Sequence, residues 1–289
     1  MHAFGPVIDA HQHFWDPSTG GYPWLAREPE SIQRAFDYAD LAPHLAAYGI
    51  DGTVLVQSAD SDEDTDAMFA QAAAHPEILG VVGYVPLEQP ARAERRLQEL
   101  LGRERFVGIR NLIHDQPDPD WLLRADVAEG LALLEAHQVP FDLVAVLPRH
   151  LEHVAYLSEQ FPNLTVVIDH LAKPPIGTPR SEPWTSLLRD AADNPRVVAK
   201  VSGLYAATGD PAAFTADDLA PWIASALEFF GPSRLMVGSD WPVAVVAGGY
   251  DRVMGAVIEV VTAYGPEVAG PLLGGTAIAT YGLTLSVTA

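Results

Sequence analysis

Eight short runs rich in β-branched residues, separated by longer amphipathic stretches, predict an α/β fold, and specifically a single (β/α)8 TIM barrel. The runs are apolar almost throughout rather than alternating, as strands of a parallel sheet covered on its outer face are. A chain of 289 residues with no low-complexity linker and no internal repeat also fits one such barrel, for which roughly 250 residues is typical.

In chain order the strand runs are 6–15, 52–58, 79–85, 106–113, 141–146, 164–171, 197–203 and 235–243. Helical patterns fill the gaps, most clearly at 88–101, 126–137, 149–160 and 216–230, each bounded by Pro, Gly or Asp. The alternative is a doubly wound open sheet. It is disfavoured because no Gly-rich phosphate loop follows any strand; Gly248-Gly249 is the nearest approach and lacks the pattern. Residues 16–38 make an unusually long connection after the first strand, rich in Pro and Gly and carrying Tyr22 and Trp24. They are expected to form a lid over the barrel mouth, or else a fixed surface loop that covers one end.

The composition narrows the function. With 17 Lys plus Arg against 38 Asp plus Glu, the net charge is −21, which leaves no basic stripe for nucleic acid or an anionic membrane. A hydrophobic content of 48 % and a mean hydropathy of +0.09 support a packed core, and the absence of Cys removes disulfides, iron–sulfur centres and thiolate chemistry. The N-terminal residues do not read as a signal peptide and no run is long enough to span a membrane. These features suggest a soluble cytoplasmic enzyme acting on a small molecule, with its oligomeric state left open.

In a parallel barrel the active site gathers at the C-terminal ends of the strands. The first run carries Asp9, His11 and His13, which a period of two puts on one side. Two imidazoles one residue apart suit a divalent ion such as zinc, although an H-x-H alone is equally compatible with two histidines satisfied by backbone or water. The sixth run ends in Asp169-His170 with Lys173 beyond, and the eighth ends in Ser239-Asp240-Trp241-Pro242. His170 alone reads as a core histidine and Asp240 as a turn cap, but their coincidence with H-x-H points to one site.

The fourth run adds Arg110 and, at the same parity, His114. The arginine fork is ready for a carboxylate or a polarised carbonyl, or for a structural acid such as Asp142. The chain has only two lysines, and Lys200 falls inside an otherwise apolar run, where it requires a carboxylate or a substrate oxygen. Aromatic walls for a substrate are expected from Trp15, Trp24 and Trp241. His44, His75, His137, His150 and His153 read as surface residues, and His2 as a loose chain end.

The run Val7-Ile-Asp-Ala-His-Gln-His-Phe-Trp15, with Gly108-Ile-Arg110, Asp169-His170-Leu-Ala-Lys173-Pro and Gly238-Ser-Asp240-Trp-Pro-Val, resembles the sugar-lactonase branch of the amidohydrolase superfamily. The likeness runs from Val7 to the closing Gly275-Thr-Ala and Tyr281-Gly282. It implies a barrel hydrolase that opens a small sugar-derived lactone, with His11, His13 and Asp240 as ligands of one zinc or similar ion. His170, Arg110 and Lys173 would serve beside Asp240 in catalysis, and Trp15, Trp24, His114, Lys200 and Trp241 in substrate binding. Three departures stand out. The superfamily's usual strand-five His is missing near Asp142 and no bridging Lys can be placed on strand four, so a binuclear centre is not expected, while Asn111 stands where a His commonly follows the arginine, which leaves the exact lactone open. A metal-dependent decarboxylase of a small aromatic or unsaturated acid is the alternative, disfavoured by the missing strand-five ligand. A binding protein with a dead site would not be expected to keep Asp240.

Overall fold

A computed structural model describes residues 4–206 and 209–285, so His2 lies outside the described residues. Eight parallel strands form one sheet in sequence order: β1 Ile8–Gln12, β2 Gly52–Val56, β3 Ile78–Gly83, β4 Phe106–Asn111, β5 Phe141–Leu143, β6 Val166–Ile168, β7 Val197–Val201 and β8 Leu235–Val237. The ring closes between β8 and β1 through the Asp240 amide, which donates to the His11 carbonyl at 2.8 Å, and the His13 amide, which donates to the Trp241 carbonyl at 2.7 Å. The eight-stranded barrel expected from the sequence is therefore the observed fold.

The helices that cover its outer face are α1 Tyr38–Tyr48, α2 Asp62–Ala74, α3 Pro90–Leu101, α4 Ala125–Ala136, α5 Pro148–Gln160, α6 Trp184–Ala192, α7 Ala216–Phe230 and α8 Tyr250–Thr262. Their starts are written locally. Asp37 and Asp40 form a capping box at α1, Thr215 and Asp218 form another at α7, and Ser61 accepts from the Asp64 amide at α2. The barrel interior is filled by Ile8, Ala10, Val54, Val56, Val82, Val167, Val198 and Met236, with Tyr281 and Leu283 from the C-terminal segment packed into the same cluster.

All eight strands end before the expected runs do, and at β6, β8 and β1 the backbone reasons matter to the site. β6 ends at Ile168 because His170, Leu171, Ala172 and Lys173 all adopt positive φ, between 53° and 57° for the first and last, which a ladder does not accommodate. β8 ends at Val237, and Asp240 has φ 58°. In β1 a register shift between Asp9 and Gln12 breaks the period of two. Asp9 therefore does not share the side of His11 and His13: its carboxylate accepts from the Ser239 amide at 2.8 Å and its surroundings include Tyr250 of α8.

Residues 16–38 contain no long helix, as their Pro and Gly content implies, but three short 3₁₀ turns at Pro17–Thr19, Pro23–Arg27 and Glu30–Ile32. Their ends are pinned by paired backbone hydrogen bonds between Trp15 and Phe36, and Leu25 and Ile32 are buried beneath them. The segment lies over one side of the barrel mouth, with Trp24, Arg27, Glu28 and Ile32 on the cavity.

One helix contact is close enough to test. A Cβ at Gly130 of α4 would stand 2.5 Å from the Leu87 carbonyl oxygen, a backbone atom unable to yield. Gly130→Ala is expected to cost about 1–3 kcal/mol through overpacking. Urea unfolding that matches the parent protein would show that α4 has room to move.

Candidate active site

Three imidazoles and one carboxylate converge above the apolar barrel core. His11 Nε2 lies 3.1 Å from His13 Nε2, and Asp240 Oδ1 lies 3.7 Å from His11 Nε2, 3.4 Å from His13 Nε2 and 3.8 Å from His170 Nε2. Each ring is turned by its other nitrogen. His13 Nδ1 donates to the Val56 carbonyl at 2.7 Å, His170 Nδ1 pairs with the Ser202 hydroxyl at 2.9 Å, and His11 Nδ1 lies 3.1 Å from Asp169 Oδ1. Such outer partners leave the Nε2 lone pairs aimed at a common point.

This donor set fits a divalent first-row ion. Bonds of about 2.0–2.1 Å in a tetrahedron put neighbouring donors roughly 3.3–3.4 Å apart, close to the separations found here. The donor atoms of His11, His170 and Asp240 all lie within 4.8 Å of one another, and His13 is nearer still to two of them. Two Nε2 lone pairs facing each other in a buried site call for a proton or a cation between them. The left-handed turns described above deliver His170 and Asp240 to this point. Gly203, at φ +54°, lets them meet: a Cβ there would fall 2.6 Å from Asp240 Oδ2 and 2.7 Å from His170 Nδ1.

Beneath the cluster runs a fully buried ionic network. Lys200 Nζ lies 2.5 Å from Asp142 Oδ2 and 3.2 Å from Asp169 Oδ1, and the Tyr281 hydroxyl donates to Asp142. Arg110 Nη1 donates to Asp169 Oδ2 at 3.0 Å and also lies 3.3 Å from His11 Nε2, while Nη2 donates to the Gln57 carbonyl. Arg110 therefore takes Asp169 as its acid rather than Asp142.

The electrostatics follow from burial and these neighbours. Burial drives His170 down to about 3 and His11 well below its ordinary value, so both rings are neutral. Burial alone would raise Asp240, but His170, the hydrogen bond from His13 and the Lys173 ammonium together bring it below the usual carboxylate range. Asp240 is an ionised carboxylate. Asp169 is likewise low despite burial, held by Lys200, His11 and Arg110, whereas burial pushes Asp142 up to about 6.

Above the cluster opens a cavity of about 440 Å³. Of the residues nominated from the sequence, His13, Trp15, Trp24, Arg110, His114, His170, Lys173 and Asp240 line it. His11 lies just below, fully buried. Two nominations fail. Lys200 is sealed under His11 by its carboxylates and reaches no substrate, and Trp241 stacks edge-on against Phe14 and Phe36 at 6.0 and 5.2 Å instead of walling the cavity. His150 and His153 are not surface residues either. Both are buried on α5, where the His153 ring meets Asp120 at 3.0 Å.

The structure also adds residues to the site. Tyr205 lines the cavity from the loop after β7, its hydroxyl 3.5 Å from Lys173 Nζ, and Lys173 lies 3.8 Å from Asp240 Oδ2. The strand-end rule applied after Ser202-Gly203 is a signal that could have found it. Gln57 and Ser202, which position Arg110 and His170, had no sequence signal of their own.

The fold and this site define a barrel hydrolase, and comparison with known proteins names its family. The amidohydrolase family profile matches residues 8–283, and the chain belongs to that family. Over 244 residues it is 37 % identical to an L-fucono-1,5-lactonase of Burkholderia ambifaria, covering 84 % of this chain and 82 % of that one. An L-fucono-1,5-lactonase of Burkholderia multivorans is 33 % identical over 259 residues, 86 % of each chain. A solved amidohydrolase of Burkholderia multivorans with bound zinc superposes with a TM-score of 0.87 at 31 % identity, covering 97 % of this chain and 100 % of that one.

The buried network makes a sharp prediction. Lys200→Met removes one charge and leaves Asp142 and Asp169 without their shared ammonium, so it is expected to lower stability by about 3–5 kcal/mol. A loss below about 1 kcal/mol in denaturant unfolding would mean the carboxylates are neutralised another way.

Proposed function

We propose that this protein hydrolyses a small hydroxylated lactone of sugar origin, of the L-fucono-1,5-lactone type, to the corresponding hydroxy acid. The observation that carries the reading is Asp240: an ionised carboxylate at the cavity floor, flanked by three imidazoles and the Lys173 ammonium. The two lactonase relatives at 37 % and 33 % identity support it. A carboxylate so placed accepts a proton from water as the oxygen attacks the lactone carbonyl, and no serine or cysteine nucleophile is needed. Lys173 and Arg110 both border the cavity and offer positive charge to the carbonyl oxygen as it turns negative in the tetrahedral intermediate.

His11, His13, His170 and Asp240 are the residues that would hold a metal, and we assign it as zinc, the ion bound in the similar amidohydrolase. When bound, such an ion supplies Lewis-acid stabilisation of the developing negative charge. Substrate recognition falls to the cavity walls. Trp15 and Trp24 meet edge-on at 5.1 Å, and the Trp24 indole is fixed by donation to the Ser58 carbonyl at 2.8 Å. They offer flat apolar faces for a sugar ring, while His114, which burial lowers to about 4 and so keeps neutral, presents polar edges to its hydroxyls. The segment 16–38 roofs this cavity and limits it to small substrates. A place in carbohydrate breakdown follows from this substrate class.

Decarboxylation is the weaker alternative. The position where a strand-five ligand would stand is Asp142, whose carboxylate is already engaged by Lys200 and Tyr281.

A panel of sugar-derived five- and six-membered lactones, followed by proton release, tests the proposal. Turnover of at least one sugar lactone with no carbon dioxide from aromatic acids is the expected result; the reverse pattern establishes the decarboxylase. Exhaustive chelation is expected to strip the bound metal and lower lactone turnover, with zinc restoring it. Full activity in metal-free protein would assign the histidines to hydrogen bonding and charge placement alone.

A further inference from the structure

We infer that Tyr205 is the proton donor to the ring oxygen that leaves when the lactone opens. The inference rests on the lactonase reading and supplies the half of the reaction that Asp240 as base leaves open. Tyr205 lines the same cavity as Asp240, and Lys173 stands between them, its Nζ 3.8 Å from Asp240 Oδ2 and 3.5 Å from Tyr205 Oη. The ammonium can only donate, so the phenol oxygen is the acceptor in this contact and its own proton is released for another partner. Among the described residues no carbonyl or carboxylate accepts that proton from Tyr205, and the side chain opens onto the cavity. A phenol that accepts from an ammonium also donates more strongly, because linked hydrogen bonds polarise one another. The Lys173 ammonium lies 5.0 Å from the Tyr205 ring centroid, which fixes the ring from its face as well.

The step balances as follows. Water adds through oxygen to the carbonyl carbon and gives one proton to Asp240. The ring carbon–oxygen bond then breaks, its electron pair stays on the ring oxygen, and that oxygen takes the phenol proton. The phenolate then takes a proton from the Lys173 ammonium that stands between the two groups, and Lys173 regains one from Asp240, which resets all three and leaves the hydroxy acid.

Tyr205→Phe keeps the ring under Lys173 and removes only the proton. On an aliphatic sugar lactone, kcat is expected to fall about 10²-fold or more, with KM within about threefold and the melting temperature unchanged. The companion substrate is 3,4-dihydrocoumarin, whose ring oxygen leaves as a phenolate of pKa about 10 and needs far less help from an acid. There the variant is expected to lose less than about threefold. Equal losses on both lactones, or a sugar-lactone kcat within threefold of the parent, overturn the assignment. A parent enzyme that opens no sugar lactone at all overturns the functional reading on which it rests.

Discussion

The site depends on one buried ammonium. Lys200 stands fully enclosed in the barrel between Asp142 and Asp169, and without it two carboxylates would share an apolar interior with only Arg110, on the Asp169 side, to offset them. Because Lys200 and Arg110 hold Asp169 ionised, that carboxylate is free to orient His11 from its Nδ1 side. The functional face of His11 is thus set from underneath by Lys200 and Asp169, which lie buried off the cavity, with Arg110 bridging Asp169 to the cavity edge. The same arrangement explains why the fifth strand carries an acid rather than a histidine: here that position balances the lysine.

A second constraint is conformational. His170 and Asp240 both sit on left-handed backbone immediately after short strands, and Gly203 provides the space between them. Left-handed residues other than glycine cost of order 1–3 kcal/mol each and persist only where the surroundings hold them. The barrel closure does this at Asp240, whose amide is tied to the His11 carbonyl, while the Ser239 amide donates to Asp9 and the Ser239 hydroxyl accepts from the Trp241 amide. Closing the barrel and aiming the base are the same set of hydrogen bonds.

These features differ in how far the sequence discloses them. The eight strands and their order are legible because buried parallel strands leave continuous apolar runs, and the strand-end histidines and Asp240 are legible because polar residues are rare there. The side on which Asp9 faces is not, since the register shift in β1 inverts parity without any Gly or Pro to mark it. Lys200 and Trp241 look like substrate contacts in sequence because burial is invisible there: both are buried and neither lines the cavity. Tyr205 falls just past Ser202-Gly203, where the strand-end rule points, but that its side chain turns to the cavity is set by the fold. Lys200 and Arg110 could be recognised from sequence as needing acids, but the choice between Asp142 and Asp169 is a question of three-dimensional register.

The central claim is that Asp240 accepts the proton of the attacking water. Asp240→Asn keeps the side-chain volume and removes the base, so the most direct measurement is its kcat on a lactone that the parent enzyme opens. Metal content and melting temperature are read on the same preparation. The account predicts a fall of about 10²- to 10⁴-fold with the fold intact. A variant that retains more than half of the parent rate would contradict it.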